Sequence, residues 1–107
     1  MKITKKDINT IINTIITGYQ PEKIYLFGSY ASGNASEQSD IDLLIIKSTT
    51  EKTNKRAMHI HQLFNPYIYN LDVIVYTPDE FESSKDMINT LAYFVNKDGK
   101  IVYESRI

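Results

Sequence analysis

The chain has 107 residues, of which 42% are hydrophobic, enough to bury one core but too few for two, so a single domain over residues 1–107 is expected. Lysine and arginine number 12 against 13 acidic residues, a net charge of −1, which excludes the basic surplus that nucleic-acid or anionic-membrane binding draws on. With no cysteine there is neither a disulfide nor a thiolate metal site, so any metal must be held by oxygen or histidine.

Ile8, Ile11, Ile12, Ile15, Ile16 and Tyr19 recur at steps of three and four, the pattern of an amphipathic helix. Thr4 followed by Asp7 is a start signal, and Gly18 with Pro21 is read as the stop. The run "KIYLF", Lys23–Phe27, reads as a strand ending at a glycine. The segment "GSYASGNASEQS" is poor in large apolar residues apart from Tyr30, and reads as loop with room for one helical turn. Connections of that length in small domains tend to be functional or disordered.

A second strand, "DIDLLIIK", is expected from Asp40 to Lys47. A helix follows, carrying Ala57, Met58, Ile60 and Leu63 or Phe64 and closed by Pro66. Tyr67, Ile68 and Tyr69 read as packing on the approach to a third strand, about Asn70 to Tyr76. Thr77, Pro78 and Glu80 then form a capping box with proline in the first turn. The helix they open is expected to weaken at Ser83 and Ser84, resume through Met87, Ile88, Leu91, Phe94 and Val95, and end at Gly99. "KIVYE" supplies a fourth strand at a sheet edge. The order predicts an α/β (α+β) fold, a small mixed sheet of about four strands flanked by helices.

Chemistry concentrates in the acidic residues of the strands. Side chains alternate along a strand, so Asp40 and Asp42 share a face at about 6.6 Å separation along the backbone. Ile41, Leu43 and Ile45 take the opposite face, while Leu44 and Ile46 continue the aspartate face into apolar surroundings. Like charges so close call for a cation. Asp72 repeats the device in "NLDVIVY", and if its strand neighbours the second it becomes a third carboxylate at the same sheet end. Oxygen donors in this arrangement suit Mg2+, which binds one or two carboxylates and completes its shell with water and phosphates. Gly28 lets the backbone approach a ligand, Ser29 offers a hydroxyl and an amide to a phosphate oxygen, and a helical turn after them would add its first amides. Alone, a Gly-Ser pair after a strand is most often a turn, and an Asp-x-Asp most often a solvated pair; it is the combination that points to a site. His59 and His61 fall on different sides of their helix and read as surface or packing residues. Tyr93 and Phe94 read as interface or core.

Taken together, "GSYASGNASEQSDIDLLI" and the later Asp72 resemble the signature of the nucleotidyltransferase superfamily that includes DNA polymerase β and the aminoglycoside nucleotidyltransferases. The likeness is closest to the minimal nucleotidyltransferases of prokaryotes and covers nearly the whole chain. It implies the polymerase β-like fold and transfer of a nucleoside monophosphate from a triphosphate to a hydroxyl, with two Mg2+ ions and release of pyrophosphate. By the same resemblance Gly28 and Ser29 hold the β- and γ-phosphates, Asp40 and Asp42 bridge the metals, and Asp72 binds the second metal and helps deprotonate the acceptor. It further implies an antitoxin that uses ATP to adenylylate a tyrosine of a HEPN-domain toxin, with a homo- or hetero-oligomer possible. Many minimal members carry an arginine where this chain has Ser32. Two other readings stay open: a module of the same fold that neutralises its partner by masking it, and a small-molecule nucleotidyltransferase acting as an obligate dimer.

The N-terminus "MKITKKDINT" lacks the apolar stretch of a secretory signal and no run reaches the roughly 20 apolar residues of a membrane span, which sets the cytoplasmic expectation.

Overall fold

A computed structural model describes residues 3–65 and 68–106. Helix α1, Lys5–Tyr19, starts at a complete capping box: the Asp7 N–H donates to Thr4 Oγ1 and the Thr4 N–H to the Asp7 carboxylate. It buries Ile11, Ile12 and Ile15. Its end differs from expectation. Gln20, in the left-handed region at φ 54°, caps it and donates its N–H to the Ile16 carbonyl, whereas Gly18 lies inside the helix against Leu63, where a Cβ would come within 2.5 Å of a methyl group.

The remaining elements are β1 (Lys23–Phe27), α2 (Ser29–Ser32), β2 (Ile41–Ile46), α3 (Thr53–His61), β3 (Leu71–Tyr76), α4 (Pro78–Ser84), α5 (Leu91–Asp98) and β4 (Lys100–Glu104). The strands form one sheet in the order β3-β2-β1-β4, with β1 antiparallel to both β2 and β4, and β2 parallel to β3. A parallel pair needs a crossover, which α3 provides. The expected four-stranded mixed sheet with flanking helices is the fold observed.

Period-two alternation splits the sheet into two faces. On the first, Ile24, Leu26, Ile41, Leu43, Ile45, Leu71, Val73 and Val75 pack against Ile11, Ile12 and Ile15 of α1 and Ile60 of α3. On the second, Tyr25, Leu44 and Ile46 pack against Phe81 of α4 and Ala92 and Val95 of α5.

Several expectations need correction. Strand β2 begins at Ile41, leaving Asp40 one residue ahead of it. In α3 the buried positions are Arg56 and Ile60, and Met58 is 47% exposed, because Arg56 finds acceptors that its place in the sequence does not announce. The predicted helix from Pro78 onward is two helices. Thr90 Oγ1 donates to the carbonyls of Ser84 and Met87 and accepts from the Tyr93 N–H, which fixes a turn and starts α5 at Leu91. Met87 and Ile88 thus lie in the turn, exposed, and Phe94 is half exposed. Gly99 ends α5 in an extended conformation rather than a left-handed one. Tyr69 packs edge-on against Phe64, while Ile68 is exposed; Pro66 and Tyr67 lie outside the described residues.

Candidate active site

The sheet register arranges the second face in rows. Phe27, Asp42 and Asp72 form one row across β1, β2 and β3; Tyr25, Leu44 and Ile74 form the next; Lys23, Ile46 and Tyr76 the third. Helices α4 and α5 cover the second row and Ile46 and Tyr76 of the third. The first row is left open: Phe27 and Asp42 are half-buried and Asp72 is exposed.

Asp42 and Asp72 are direct register partners on parallel strands, neighbours at about 4.8 Å between strand axes. Asp40 is exposed just ahead of β2, where the Ile41 N–H donates to the Asn70 carbonyl and ties the strand starts together. The Asp42 carboxyl is pushed up to about 6, first by burial, then by the negative charges of Asp72 and Asp40, and by a hydrogen bond with Asp72 that favours the protonated form.

Gly28 sits against this group. At φ 75° it adopts a conformation that L side chains avoid, and a Cβ there would collide with Asp42 Oδ2. The chain then enters α2, with the Ala31 and Ser32 N–H groups donating to the Gly28 carbonyl. The amides at the start of a helix are not consumed within it, so those of Ser29 and Tyr30 remain for other acceptors. Ser32 stands one turn after Ser29 and donates its hydroxyl to the Ser29 carbonyl.

The residues singled out in the sequence thus fall at one end of one sheet face: Gly28 and Ser29 beside Asp42, Asp42 beside Asp72, and Asp40 at the rim. Among the described residues, no three acidic or histidine side chains gather closely enough to hold a metal ion between them. A half-buried Asp42 beside an exposed Asp72 nonetheless fits Mg2+, which takes one or two carboxylates and fills its shell with water and substrate phosphates. His59 instead pairs with Glu51, Nε2 to Oε2 at 2.8 Å, and stacks on Tyr19.

Phe27 is the member of the row that sequence reasoning passed over. It shares the face of the carboxylates only because β1 and β2 pair with Phe27 opposite Asp42, a register that no local pattern reveals.

A mixed sheet presenting carboxylates in register on neighbouring strands, next to a Gly-Ser turn, is the frame of a phosphate-transferring enzyme. Residues 9–106 match the family described as polymerase beta, nucleotidyltransferase, and the chain belongs to that family of nucleotidyltransferases. It is 33% identical over 75 residues to a Methanocaldococcus jannaschii protein named "putative protein adenylyltransferase MJ0141", covering 70% of each chain. It spans 44% and 57% of the length of two further relatives from that organism. Among solved structures it is similar to one described as "a putative nucleotidyltransferase from Sulfolobus solfataricus", with a TM-score of 0.63 at 21% identity over 91% of this chain and 77% of that one. It is also similar to a chain in a toxin–antitoxin crystal structure with AMP-PNP, with a TM-score of 0.64 at 23% identity over 92% and 73%. These two likenesses concern the fold. Among the described residues no helix is long and apolar enough to cross a membrane.

Proposed function

We propose that this chain transfers AMP from ATP to a tyrosine hydroxyl of a partner HEPN-domain toxin and so acts as its antitoxin. The observation that carries the reading is Asp42 in register with Asp72 at the open end of the sheet, with Gly28 and Ser29 beside them, in a chain of nucleotidyltransferase family. The protein-adenylyltransferase name of a relative and the toxin–antitoxin neighbour that contains AMP-PNP support a protein acceptor and an adenine nucleotide.

In this reading the Ser29 hydroxyl and amide bind the terminal phosphates, and Gly28 leaves them room to approach the carboxylates. Asp42 and Asp72, with Asp40 at the rim, would hold two Mg2+ ions, which when bound neutralise charge on the phosphates and lower the pKa of the attacking hydroxyl. Asp72, the most open of the row, faces the acceptor and takes its proton. The hydroxyl oxygen bonds to the α-phosphorus, the bond from that phosphorus to the bridging oxygen of the β-phosphate breaks, and pyrophosphate leaves with the electron pair. Asp42 orients the α-phosphate, with its own position fixed by the contact with Gly28.

The test is incubation with α-32P-labelled ATP, Mg2+ and the protein encoded beside this one. Label should pass to the neighbour with the wild type and not with Asp40→Asn/Asp42→Asn. A double variant that labels its neighbour at the wild-type rate refutes the assignment. A masking module is the second reading, favoured by Ser32 in the place of an arginine. It predicts a firm complex, no label, and full neutralisation by the same double variant.

A further inference from the structure

The open row that carries Asp42 and Asp72 begins with an aromatic ring. Ile24, Tyr25 and Leu26, the three residues before Phe27 in β1, are exposed by only 0, 5 and 6%, whereas Phe27 is half-buried. The cause is topological. Pairing of β4 with β1 reaches only as far as Leu26, opposite Lys100, so among the described residues no strand residue pairs with Phe27 on its outer side. Phe27 packs against the buried cluster of the second face, and its cross-strand neighbour is Asp42. Directly opposed Cβ atoms of an antiparallel pair lie about 4.5 to 5.5 Å apart, so the ring and the carboxyl are neighbours. Ile74, two residues beyond Asp72 on the same face and also half-buried, adds apolar surface behind the carboxylates.

A phenyl ring left partly open at a polar site forgoes burial that the same residue obtains further along the strand. A flat apolar surface bordered by a few polar groups is also what a nucleoside needs once its phosphates are anchored. Phosphates held between Ser29 and the Asp42–Asp72 pair leave the attached sugar and base within reach of Phe27, which directly precedes the Gly28–Ser29 turn.

We propose that Phe27 is the platform on which the nucleobase of the substrate packs, which makes it a substrate-binding residue of this site as well as an edge of the second core. The proposal rests on the nucleotidyl-transfer reading. Base stacking on an aromatic side chain is a dispersion and quadrupole effect, so removing the ring weakens binding of the nucleoside part and spares the phosphate part.

The experiment compares two probes with Mg2+ on the full chain by calorimetry: AMP-PNP, which has a base, and inorganic tripolyphosphate, which has none. Phe27→Leu keeps an apolar side chain on the second core and should weaken AMP-PNP by about 5- to 150-fold while leaving tripolyphosphate unchanged. Phe27→Tyr should restore AMP-PNP binding. Equal losses for both probes, or no loss for AMP-PNP, overturn the proposal. A further variant is independent of how Leu is tolerated. The chain contains no tryptophan, so Phe27→Trp introduces a single indole whose emission should change with AMP-PNP and stay constant with tripolyphosphate. An indole silent to AMP-PNP that calorimetry shows to be bound overturns the platform role. Wild type that binds neither probe refutes the nucleotide reading itself, and the proposal with it.

Discussion

Asp42 keeps its proton in the folded chain up to about pH 6, against 3.8 for the free group. Between those values the native state binds the extra proton, so stability falls as pH rises from about 4 to about 6 and stays reduced above. Asp42→Asn should therefore be more stable than the wild type at pH 7.5 in EDTA, by about 1 to 2 kcal/mol after allowance for solvent screening at a half-open site. The melting temperature should rise by several degrees, and the difference should vanish below pH 4. Calorimetry at the two pH values checks this, and an Asn variant less stable at pH 7.5 contradicts it. Gly28→Ala acts in the opposite direction: a Cβ at positive φ that also strikes the Asp42 carboxylate should cost about 2 kcal/mol and abolish transfer, read by urea titration and the label assay. The two aspartates were legible because each interrupts an apolar strand, "DIDLLII" and "NLDVIVY". The contact of Gly28 with Asp42 was not, since it depends on how two strands meet across a long loop.

Arg56 shows how one side chain joins three elements. From the inward face of α3 it donates to the Glu51 carbonyl at 2.7 Å, to the Val75 carbonyl of β3 at 3.1 Å, and to both Glu80 oxygens of α4 at 2.7 and 3.3 Å. Because β3 is an edge strand, the bond to Val75 also occupies a carbonyl that would otherwise invite another chain. Glu80 serves twice, since its carboxylate also accepts the Thr77 N–H in the capping box of α4. Both contacts hold its pKa below the usual carboxylate value, the guanidinium first. Arg56→Ala should destabilise by about 2 to 4 kcal/mol, leaving carbonyls unpaired and a gap in the core. Glu80→Gln should cost about 1 kcal/mol, because Glu80 is exposed and Arg56 keeps its two carbonyl acceptors. Urea unfolding of both variants reads the order, and a larger loss for Glu80→Gln reverses the argument. At this scale the sequence was legible where caps mark boundaries, at Thr4–Asp7 and Thr77–Glu80. It misled where a polar residue takes an inward position, at Arg56, or where Thr90 ends one helix and starts another inside an apolar run.

The sheet is clothed unequally, and that has a dynamic consequence. Among the described residues, the cluster of the first face, under α1 and α3, has thirteen buried members, whereas that of the second face, under α4 and α5, has six. Apolar burial sets the free energy of local opening, so the thin layer should open at lower cost than the thick one. The alternation that separates the faces was readable in the strands, but how much helix each receives depends on where the turn at Met87–Thr90 directs α5. Amide hydrogen exchange should accordingly show two classes. The α4–α5 layer and the β4 edge should exchange through partial opening, while α1, β1 and β2 should exchange only with global unfolding. The row proposed as catalytic lies at the uncovered end of the thin face, so Mg2+ with AMP-PNP should slow exchange at Ser29–Ser32, Ile41–Asp42 and Leu71–Asp72 in excess of any uniform gain from mass action. Uniform slowing would place the nucleotide's effect on global stability alone, and slowing confined to α1 and α3 would place the site on the wrong face of the sheet.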